Sequence, residues 1–406
     1  MSAQTETSRS SPMRLSSIRG LTGDGAAAEA MRQIDPDLVA AYPITPQTEI
    51  VERFAQFAAD GRVHTEFVTV ESEHSALSAC CGGAAAGGRV MTCTASQGLA
   101  LMHEILYIAA ANRLPIVMTT VNRTLSAPIN INADHSDTMG SRDCGWIQLY
   151  CLDAQEVYDL TIQAVRISED LDVMLPVMVA MDGFLVSHDM ERVELMDDGD
   201  VKAFVGTHEP TITLLDDDNP ISIGAFVGPE YFFEHKIAQV RSLEASLHVI
   251  ESVGAKFGER TGRFYGTMET YFLDDADVAF VALGSAAGNV RVAVDEMRAK
   301  GIKSGLLRIR SYRPFPMEQI KQALRNAKSV AVLDRAVSPG APGAPLFSDV
   351  CTTLFGLENG PRLISVVYGL GGRDITPEML LPVGDRLMDL ANGKSTPMRQ
   401  YLGLRE

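Results

Sequence analysis

Cysteine is scarce in this chain of 406 residues: there are six, and none of them forms a Cys-x-x-Cys pair. Iron–sulfur clusters and structural zinc sites need several thiolates at ligand spacing, so the chain alone is not predicted to hold either. Long apolar runs are absent, and no apolar core follows a basic N-terminus, which predicts a cytoplasmic protein without a membrane span. Basic residues are also outnumbered, and the net charge of −17 argues against a nucleic-acid partner.

The chain does contain a regular alternation of helical and strand-like segments, interrupted once. Such alternation predicts α/β domains with parallel sheets covered by helices on both faces. Hydrophobic residues make up 46% and charged residues 21%, and the length suffices for two cores. The predicted organisation is a disordered extension at 1–19, a first domain at 20–190, a connector at 191–275 with a long helix at 232–257, and a second domain at 276–406. The predicted elements include strands at 90–94 and 304–309 and a last helix at 377–391.

A proline-bracketed turn follows the first buried strand of the first domain. Leu38–Ala41 is predicted to be that strand, and Tyr42-Pro43-Ile44-Thr45-Pro46 ends it. The two prolines remove two backbone donors and fix two φ angles, so neither a helix nor a central strand can continue. Open α/β sheets bind ligands beyond the carboxyl ends of their strands. The turn therefore predicts a stiff loop that presents the Thr45 hydroxyl to a ligand.

Further polar segments follow the next predicted strands, and parallel strands bring all of them to one edge of the sheet. They are Glu71-Ser72-Glu73-His74, Ser96-Gln97-Gly98, Asn122-Arg123 and Asp134-His135-Ser136-Asp137. From the residues alone, two interpretations of each charged group stay open. Glu73 is either a carboxylate at a helix N-terminus or a ligand contact, and Arg123 forms either a structural ion pair or a carboxylate clamp. His135 belongs to a loop hydrogen-bond network or, less simply, to a metal site.

Read in order, these segments resemble one family. Tyr42–Pro46, Glu73, Thr94–Gly98, Asn122-Arg123 with Ser126–Asn130, Asp134–Asp137, Asp182-Gly183-Phe184 and Gly369–Asp374 are together similar to the α subunits of 2-oxoacid:ferredoxin oxidoreductases, above all the pyruvate-specific ones. The resemblance implies a pyrimidine-binding-type domain of thiamine-diphosphate enzymes, followed by a domain like the C-terminal domain of transketolase. It also implies CoA-dependent, reversible oxidative decarboxylation of pyruvate to acetyl-CoA and CO₂, with electrons passed to ferredoxin.

The resemblance assigns roles residue by residue. Glu73 matches the glutamate that contacts N1′ of the cofactor's aminopyrimidine, and Thr45 and Arg123 match residues that hold the substrate carboxylate. These three are the predicted catalytic residues. Pro43, Ile44, Ser96 and Gln97 are predicted to line the cofactor. Thiamine diphosphate is implied to be shared with a β subunit, with Mg²⁺ and [4Fe-4S] clusters on partners that include a CoA-binding γ subunit and a ferredoxin-like δ subunit, so no metal ligands are assigned here.

Other functions stay open from the sequence. Within the family, the substrate could be a branched-chain 2-oxoacid such as 2-oxoisovalerate, or 2-oxoglutarate. Outside it, the chain could be a non-catalytic assembly subunit. A self-sufficient transketolase-like enzyme is a third possibility, but it requires a diphosphate and Mg²⁺ site that no motif here indicates. The turn Gly284-Ser285-Ala286-Ala287-Gly288 resembles a phosphate-binding turn, yet it lacks a P-loop lysine and a complete Gly-x-Gly-x-x-Gly.

Overall fold

The backbone alternates strands and helices along most of its length, and the computed structural model describes residues 15–405 of it. Its strands are β1 (Leu15–Leu21), β2 (Leu38–Ala41), β3 (Glu66–Thr69), β4 (Val90–Thr94), β5 (Ile116–Asn122), β6 (Ile147–Tyr150), β7 (Val177–Asp182), β8 (Glu191–Met196), β9 (Met268–Tyr271), β10 (Val278–Ala282), β11 (Ser304–Ile309), β12 (Ser311–Arg313), β13 (Ser329–Asp334), β14 (Arg362–Val367) and β15 (Arg399–Tyr401).

The helices lie in the segments between these strands. They are α1 (Gly23–Ile34), α2 (Thr48–Ala59), α3 (Glu73–Ala85), α4 (Ser96–Leu101), α5 (His103–Ala111), α6 (Ser136–Gly140), α7 (Ala154–Ser168), α8 (Asp198–Val205), α9 (Pro229–Thr261), α10 (Ala286–Ala299), α11 (Met317–Leu324), α12 (Pro345–Leu354) and α13 (Pro377–Ala391), with a short 3₁₀ turn at Leu370–Gly372. Among residues 15–405, no helix has an apolar stretch sufficient to traverse a bilayer.

The first domain is built on a sheet with the strand order β12-β6-β7-β5-β4-β2-β3. Its strands run parallel apart from β12, which pairs antiparallel with β6. Every residue of β4, β5 and β7 is buried, because α1, α2 and α7 pack on one face and α3 and α5 on the other. The carboxyl ends of these strands therefore meet at one edge, where the polar segments lie.

The second domain has a smaller sheet with the strand order β15-β14-β13-β10-β11-β9. Only β9 pairs antiparallel in this sheet as the structure describes it. Helices α10 and α13 cover one face, and α11 and α12 cover the other. Both domains thus have the predicted α/β architecture with mainly parallel strands.

Two features join the domains: a strand that pairs with the sheet of the other domain, and a cluster of buried charged side chains. Strand β12 follows β11 of the second domain but extends the sheet of the first. Beside it, Glu156 of α7 accepts hydrogen bonds from Arg308 and from Arg310, the latter at 3.1 Å. Burial acts to raise the pKa of Glu156, but the two guanidinium charges outweigh it and hold that pKa well below its ordinary range. Separating the domains would leave these charges without partners, which disfavours separation.

The N-terminal boundary differs from the prediction. Residues 15–19, predicted to be part of a disordered extension, belong to β1, which pairs antiparallel with β8 from Leu15 to Leu21. Local composition could not reveal this strand, because its pairing partner lies about 170 residues later in the chain. Residues 1–14 of the predicted extension lie outside the described residues.

The predicted connector, 191–275, contains regular structure at both ends. It begins with β8 and α8 and continues into the long helix α9, predicted at 232–257 and observed at Pro229–Thr261. The second half of α9 buries Val249, Val253 and Phe257 in the core of the first domain. Glu251 on the same helix accepts a hydrogen bond from Gln319 of the second domain. The helix therefore contacts both domains.

Candidate active site

Glu73 is a buried carboxylate without a partner at the edge of the first sheet. It is the first residue of α3, and the capping role there belongs to Ser72, whose hydroxyl accepts from the Ser75 backbone N–H at 3.2 Å. The Glu73 residue is only 8% exposed, and within residues 15–405 its carboxylate has no hydrogen bond or ion pair. Buried charges are ordinarily paired, so Glu73 is a candidate contact for a group from outside the described residues.

The space beside Glu73 is shaped by a residue without a side chain. A Cβ atom on Gly98, at the start of α4, would lie 2.8 Å from both Cγ and Oε1 of Glu73 and 2.5 Å from Oγ1 of Thr94. Thr94 Oγ1 is itself buried and has no hydrogen-bond partner. Glu73, Thr94 and Gly98 together are called the Glu73 cleft below. Glycine at position 98 therefore lets α4 pack directly against Glu73 and Thr94, whose carboxylate and hydroxyl have no partner among the described residues.

Arg123 follows β5 and is also buried, at 7% exposure. Its Nη1 donates to the Thr45 carbonyl at 2.8 Å, and its Nε donates to the Asn130 carbonyl at 3.3 Å. In the part of the chain that the structure describes, no carboxylate pairs with it. A guanidinium has five N–H donors, and its unused donors can bind a carboxylate at two points. The structural ion pair that the sequence left open is therefore not formed with a described residue.

The Thr45 turn lies against this arginine, as the shared sheet edge predicts. Thr45 is exposed, and its contact with Arg123 is made by its backbone carbonyl, which leaves its hydroxyl available. Pro43 and Ile44 precede it on the same turn, and Ile44 packs on the core of the first domain. Gln47 anchors the turn by donating to the Tyr42 and Cys93 carbonyls at 3.2 and 2.9 Å. Sequence inspection missed Gln47, because a lone amide two residues after a ligand turn carries no signal.

Asp137 ties together the ends of β4 and β5. Its buried carboxylate accepts from the Ser96 and Arg123 backbone N–H groups, both at 3.0 Å, from Asn122 Nδ2 at 2.8 Å and from its neighbour's backbone N–H. Burial raises the pKa of Asp137 to about 6 despite these donors, which favour its charged form. The sequence placed Asp137 only in a loop network with His135. Its actual role is to fix the backbone on both sides of the site.

Ser96 and Gln97 begin α4 beside this carboxylate. Ser96 is buried in the left-handed region with φ 49°, and its hydroxyl lies 2.5 Å from both Gln97 Oε1 and the Thr124 carbonyl. The bond from its N–H to Asp137 holds this unusual conformation, which costs energy for a residue with a side chain. That Ser96 and Gln97 contact the cofactor stays a prediction.

His135 lies in a hydrogen-bond network rather than a metal centre, and that network joins the domains. Its Nε2 is 2.8 Å from Oδ1 of Asp182, which also pairs with Arg335 of the second domain at 3.4 Å. The other oxygen, Oδ2, accepts from the N–H and hydroxyl of Ser285, just before α10. Burial acts to raise the pKa of Asp182, but Arg335 and His135 outweigh it and lower that pKa. The turn at 284–288, which resembles a phosphate-binding turn, therefore binds the carboxylate of Asp182 from the same chain.

The described residues also do not form a cluster of metal ligands. Among residues 15–405, no three His, Cys, Asp or Glu side chains are placed to hold a metal ion. The six cysteines are free thiols, four of them buried. Burial raises the pKa of the Cys80 and Cys144 thiols to about 12, as expected for unreactive core residues.

Comparison with known proteins gives this edge its context. Residues 29–254 match the family model described as pyruvate flavodoxin/ferredoxin oxidoreductase, thiamine diphosphate-binding, and residues 276–380 match core domain II of pyruvate:ferredoxin oxidoreductase. Pyruvate synthase subunit PorA of Thermotoga maritima is 53% identical over 387 residues, which cover 95% of this chain and 98% of that protein. Ketoisovalerate oxidoreductase subunit VorA of Pyrococcus horikoshii is 42% identical, covering 88% and 90%.

Solved structures support the fold. A 2-oxoglutarate:ferredoxin oxidoreductase from Magnetococcus marinus superposes with a TM-score of 0.70 at 20% identity, covering 91% of this chain and 65% of that one. A split-gene transketolase superposes with a TM-score of 0.54 at 12% identity, covering 92% of this chain and all of that one. At these identities the likeness concerns the fold alone.

The two mainly parallel sheets and the match to a thiamine diphosphate-binding family model together place this chain in the class of thiamine-diphosphate enzymes. The family-model match over residues 29–254 and the 53% identity to a pyruvate synthase subunit identify the family within this class. The chain belongs to the pyruvate flavodoxin/ferredoxin oxidoreductase family. The resemblance seen in the sequence motifs is thereby confirmed, as is the predicted fold class.

Proposed function

We propose that this chain is the α subunit of a multi-subunit pyruvate:ferredoxin oxidoreductase, which converts pyruvate and CoA to acetyl-CoA and CO₂ and passes electrons to ferredoxin. The observation that carries the proposal is the pair of buried opposite charges at one sheet edge, Glu73 and Arg123, neither of which forms an ion pair with a residue among 15–405. A cofactor nitrogen and a substrate carboxylate are the partners that such groups require. The 53% identity to a pyruvate synthase subunit supports pyruvate as the substrate.

Thiamine diphosphate fits the residues of the Glu73 cleft. The orphaned Thr94 hydroxyl and the Glu73 carboxylate, which has no partner among the described residues, are consistent with the nitrogens of its aminopyrimidine ring. When bound, this cofactor supplies the nucleophilic carbon and the electron sink that decarboxylation of a 2-oxoacid needs. Glu73 would hold a proton at a nitrogen of that ring, the role of a positioned acid–base group.

Arg123 and Thr45 would bind and orient the substrate. The free guanidinium donors of Arg123 and the Thr45 hydroxyl suit the carboxylate of a 2-oxoacid. That carboxylate leaves as neutral CO₂, so strong ground-state binding alone does not speed its loss. The main contribution of Arg123 is therefore to fix the position of the scissile bond. Asp137 assists by holding the backbone N–H of Arg123.

Diphosphate binding, CoA binding and electron transfer are also needed for this reaction, and we assign them to partner chains. We infer that a β subunit binds the cofactor's diphosphate and Mg²⁺, that a γ subunit serves CoA, and that a ferredoxin-like δ subunit carries [4Fe-4S] clusters. The support is that residues 15–405 contain no group of three metal-ligating side chains and that their six cysteines are free. Pro43, Ile44, Ser96 and Gln97 are proposed to complete the cofactor side of this half-site, and a cytoplasmic location is proposed with it.

A branched-chain 2-oxoacid is the second candidate substrate, favoured by the 42% identity to a ketoisovalerate oxidoreductase subunit. The test is the steady-state rate of the assembled complex with pyruvate, 2-oxoisovalerate and 2-oxoglutarate, each with CoA and an electron acceptor. We expect the highest kcat/KM with pyruvate. A clear preference for either of the other two acids would overturn the pyruvate assignment.

A further inference from the structure

One of the two carbonyls that hold Arg123 belongs to a loop with little support of its own. The loop, residues 124–133, forms no helix or strand, and its Ile129 and Ile131 side chains are 76% and 45% exposed. The Asn130 carbonyl at its centre accepts from Arg123 Nε and from Thr124 Oγ1, the latter at 2.7 Å. The direction of the guanidinium thus depends on what fixes Asn130.

The Asn130 side chain is fixed from both sides. Its Oδ1 accepts from the backbone N–H and the Nδ2 of Asn132 at 2.7 and 2.9 Å. Its Nδ2 donates to the Gly371 carbonyl of the second domain at 3.1 Å. All the hydrogen-bonding groups of this amide except one N–H are therefore engaged.

The turn that receives Asn130 is built for close approach. Gly371 has φ 66°, and a Cβ there would lie 2.6 Å from Asn130 Nδ2. The next residue, Gly372, donates its N–H to the Ala133 carbonyl at 2.7 Å, and a Cβ on it would collide with Asn132. Glycine is needed at both positions, because left-handed backbone and direct contact each exclude a side chain.

We propose that Asn130 is a positioning residue for Arg123, and that the Gly369–Gly372 turn of the second domain sets the substrate-carboxylate clamp of the first domain through it. The hydrogen-bond path runs from the Gly371 carbonyl to the Asn130 side chain, and from the Asn130 carbonyl to the guanidinium. This inference rests on the proposed function, because it takes Arg123 to bind the 2-oxoacid carboxylate. It gives the second domain a part in substrate binding.

A double-mutant cycle in the assembled complex tests this path. Asn130→Ala keeps the carbonyl that Arg123 uses and removes only its anchors, so we expect KM for pyruvate to rise roughly three- to tenfold, with kcat within about twofold. Gly371→Ala should act alike, because its methyl group displaces the same amide. The two effects should not add, since removing the Asn130 side chain also removes the clash at position 371.

The matched control is Asn289→Ala. Asn289 Nδ2 donates to the Ile375 carbonyl at 2.9 Å, a comparable bond within the second domain, and its loss should leave KM unchanged. Two results would overturn the positioning role of Asn130 while leaving the Arg123 clamp in place. One is additive effects of the two substitutions, and the other is a KM that is unchanged in Asn130→Ala but raised in Arg123→Lys. An unchanged KM in Arg123→Lys would overturn the proposed clamp and this inference with it. If Asn130→Ala does not fold, Gly371→Ala and the Asn289 control decide by the same KM criterion.

Discussion

Replacing Glu73 by glutamine separates its chemical role from any structural one. The change keeps the shape of the side chain and exchanges one oxygen for an amide group. Because no described residue pairs with this carboxylate, the substitution breaks no internal hydrogen bond. It also removes an uncompensated buried charge, so the free energy of unfolding should change by less than about 1 kcal/mol.

Activity should respond very differently. If Glu73 holds a proton on the cofactor ring, its loss removes a contribution of the size typical for positioned acid–base groups, about 10²- to 10⁴-fold in kcat. At 1.36 kcal/mol for each factor of ten, this corresponds to roughly 3–5 kcal/mol of transition-state stabilisation. A merely structural carboxylate at a helix N-terminus contributes about 0.3–1 kcal/mol, and to folding rather than to turnover.

The assay is pyruvate- and CoA-dependent reduction of an electron acceptor by the assembled complex, with thermal unfolding measured in parallel. Glu71→Gln is the matched control, because Glu71 is a nearby carboxylate that is exposed and accepts a hydrogen bond from the Ser75 hydroxyl. We expect this control to retain wild-type turnover. Turnover of Glu73→Gln within about twofold of wild type would refute the reasoning and favour a non-catalytic subunit.

Three further changes test other parts of the site. Gly98→Ala should reduce kcat at least tenfold, with full secondary structure by circular dichroism, since its methyl group would collide with Glu73 and Thr94 and displace the carboxylate; wild-type kinetics would show that turnover does not depend on the position of Glu73. Thr45→Val should raise KM for pyruvate about three- to tenfold through loss of one hydroxyl, and an unchanged KM would exclude that contact. Asp182 has a lowered pKa, so its stabilising effect is complete above the ordinary aspartate pKa and is lost as pH falls below about 4; an acid-unfolding curve for Asp182→Asn parallel to that of wild type would contradict this.

Local patterns were sufficient to predict the elements whose boundaries are set by their own residues. Strands β2, β4 and β11 and helix α13 were predicted with the observed bounds. In each, an apolar run ends at a proline, a glycine or a polar cluster, so the stop signal lies beside the element. The convergence of Thr45, Glu73 and Arg123 at one edge followed from parallel topology alone.

Features that depend on distant partners could not be predicted in this way. β12 has only three residues and exists because β6, about 160 positions earlier, offers it an edge. The carboxylate at the Ser285 turn comes from Asp182 in the other domain. Asp137 and Asn130 looked like ordinary loop residues, because their importance lies in the backbone groups they hold rather than in their type.

The central claim is that this chain contributes one half of a cofactor site that a partner chain completes. It is tested most directly by calorimetric titration of thiamine diphosphate with Mg²⁺ into the purified chain and into the assembled complex. The account predicts weak or undetectable binding to the chain alone and stoichiometric binding to the complex. Tight one-to-one binding to the isolated chain would contradict it.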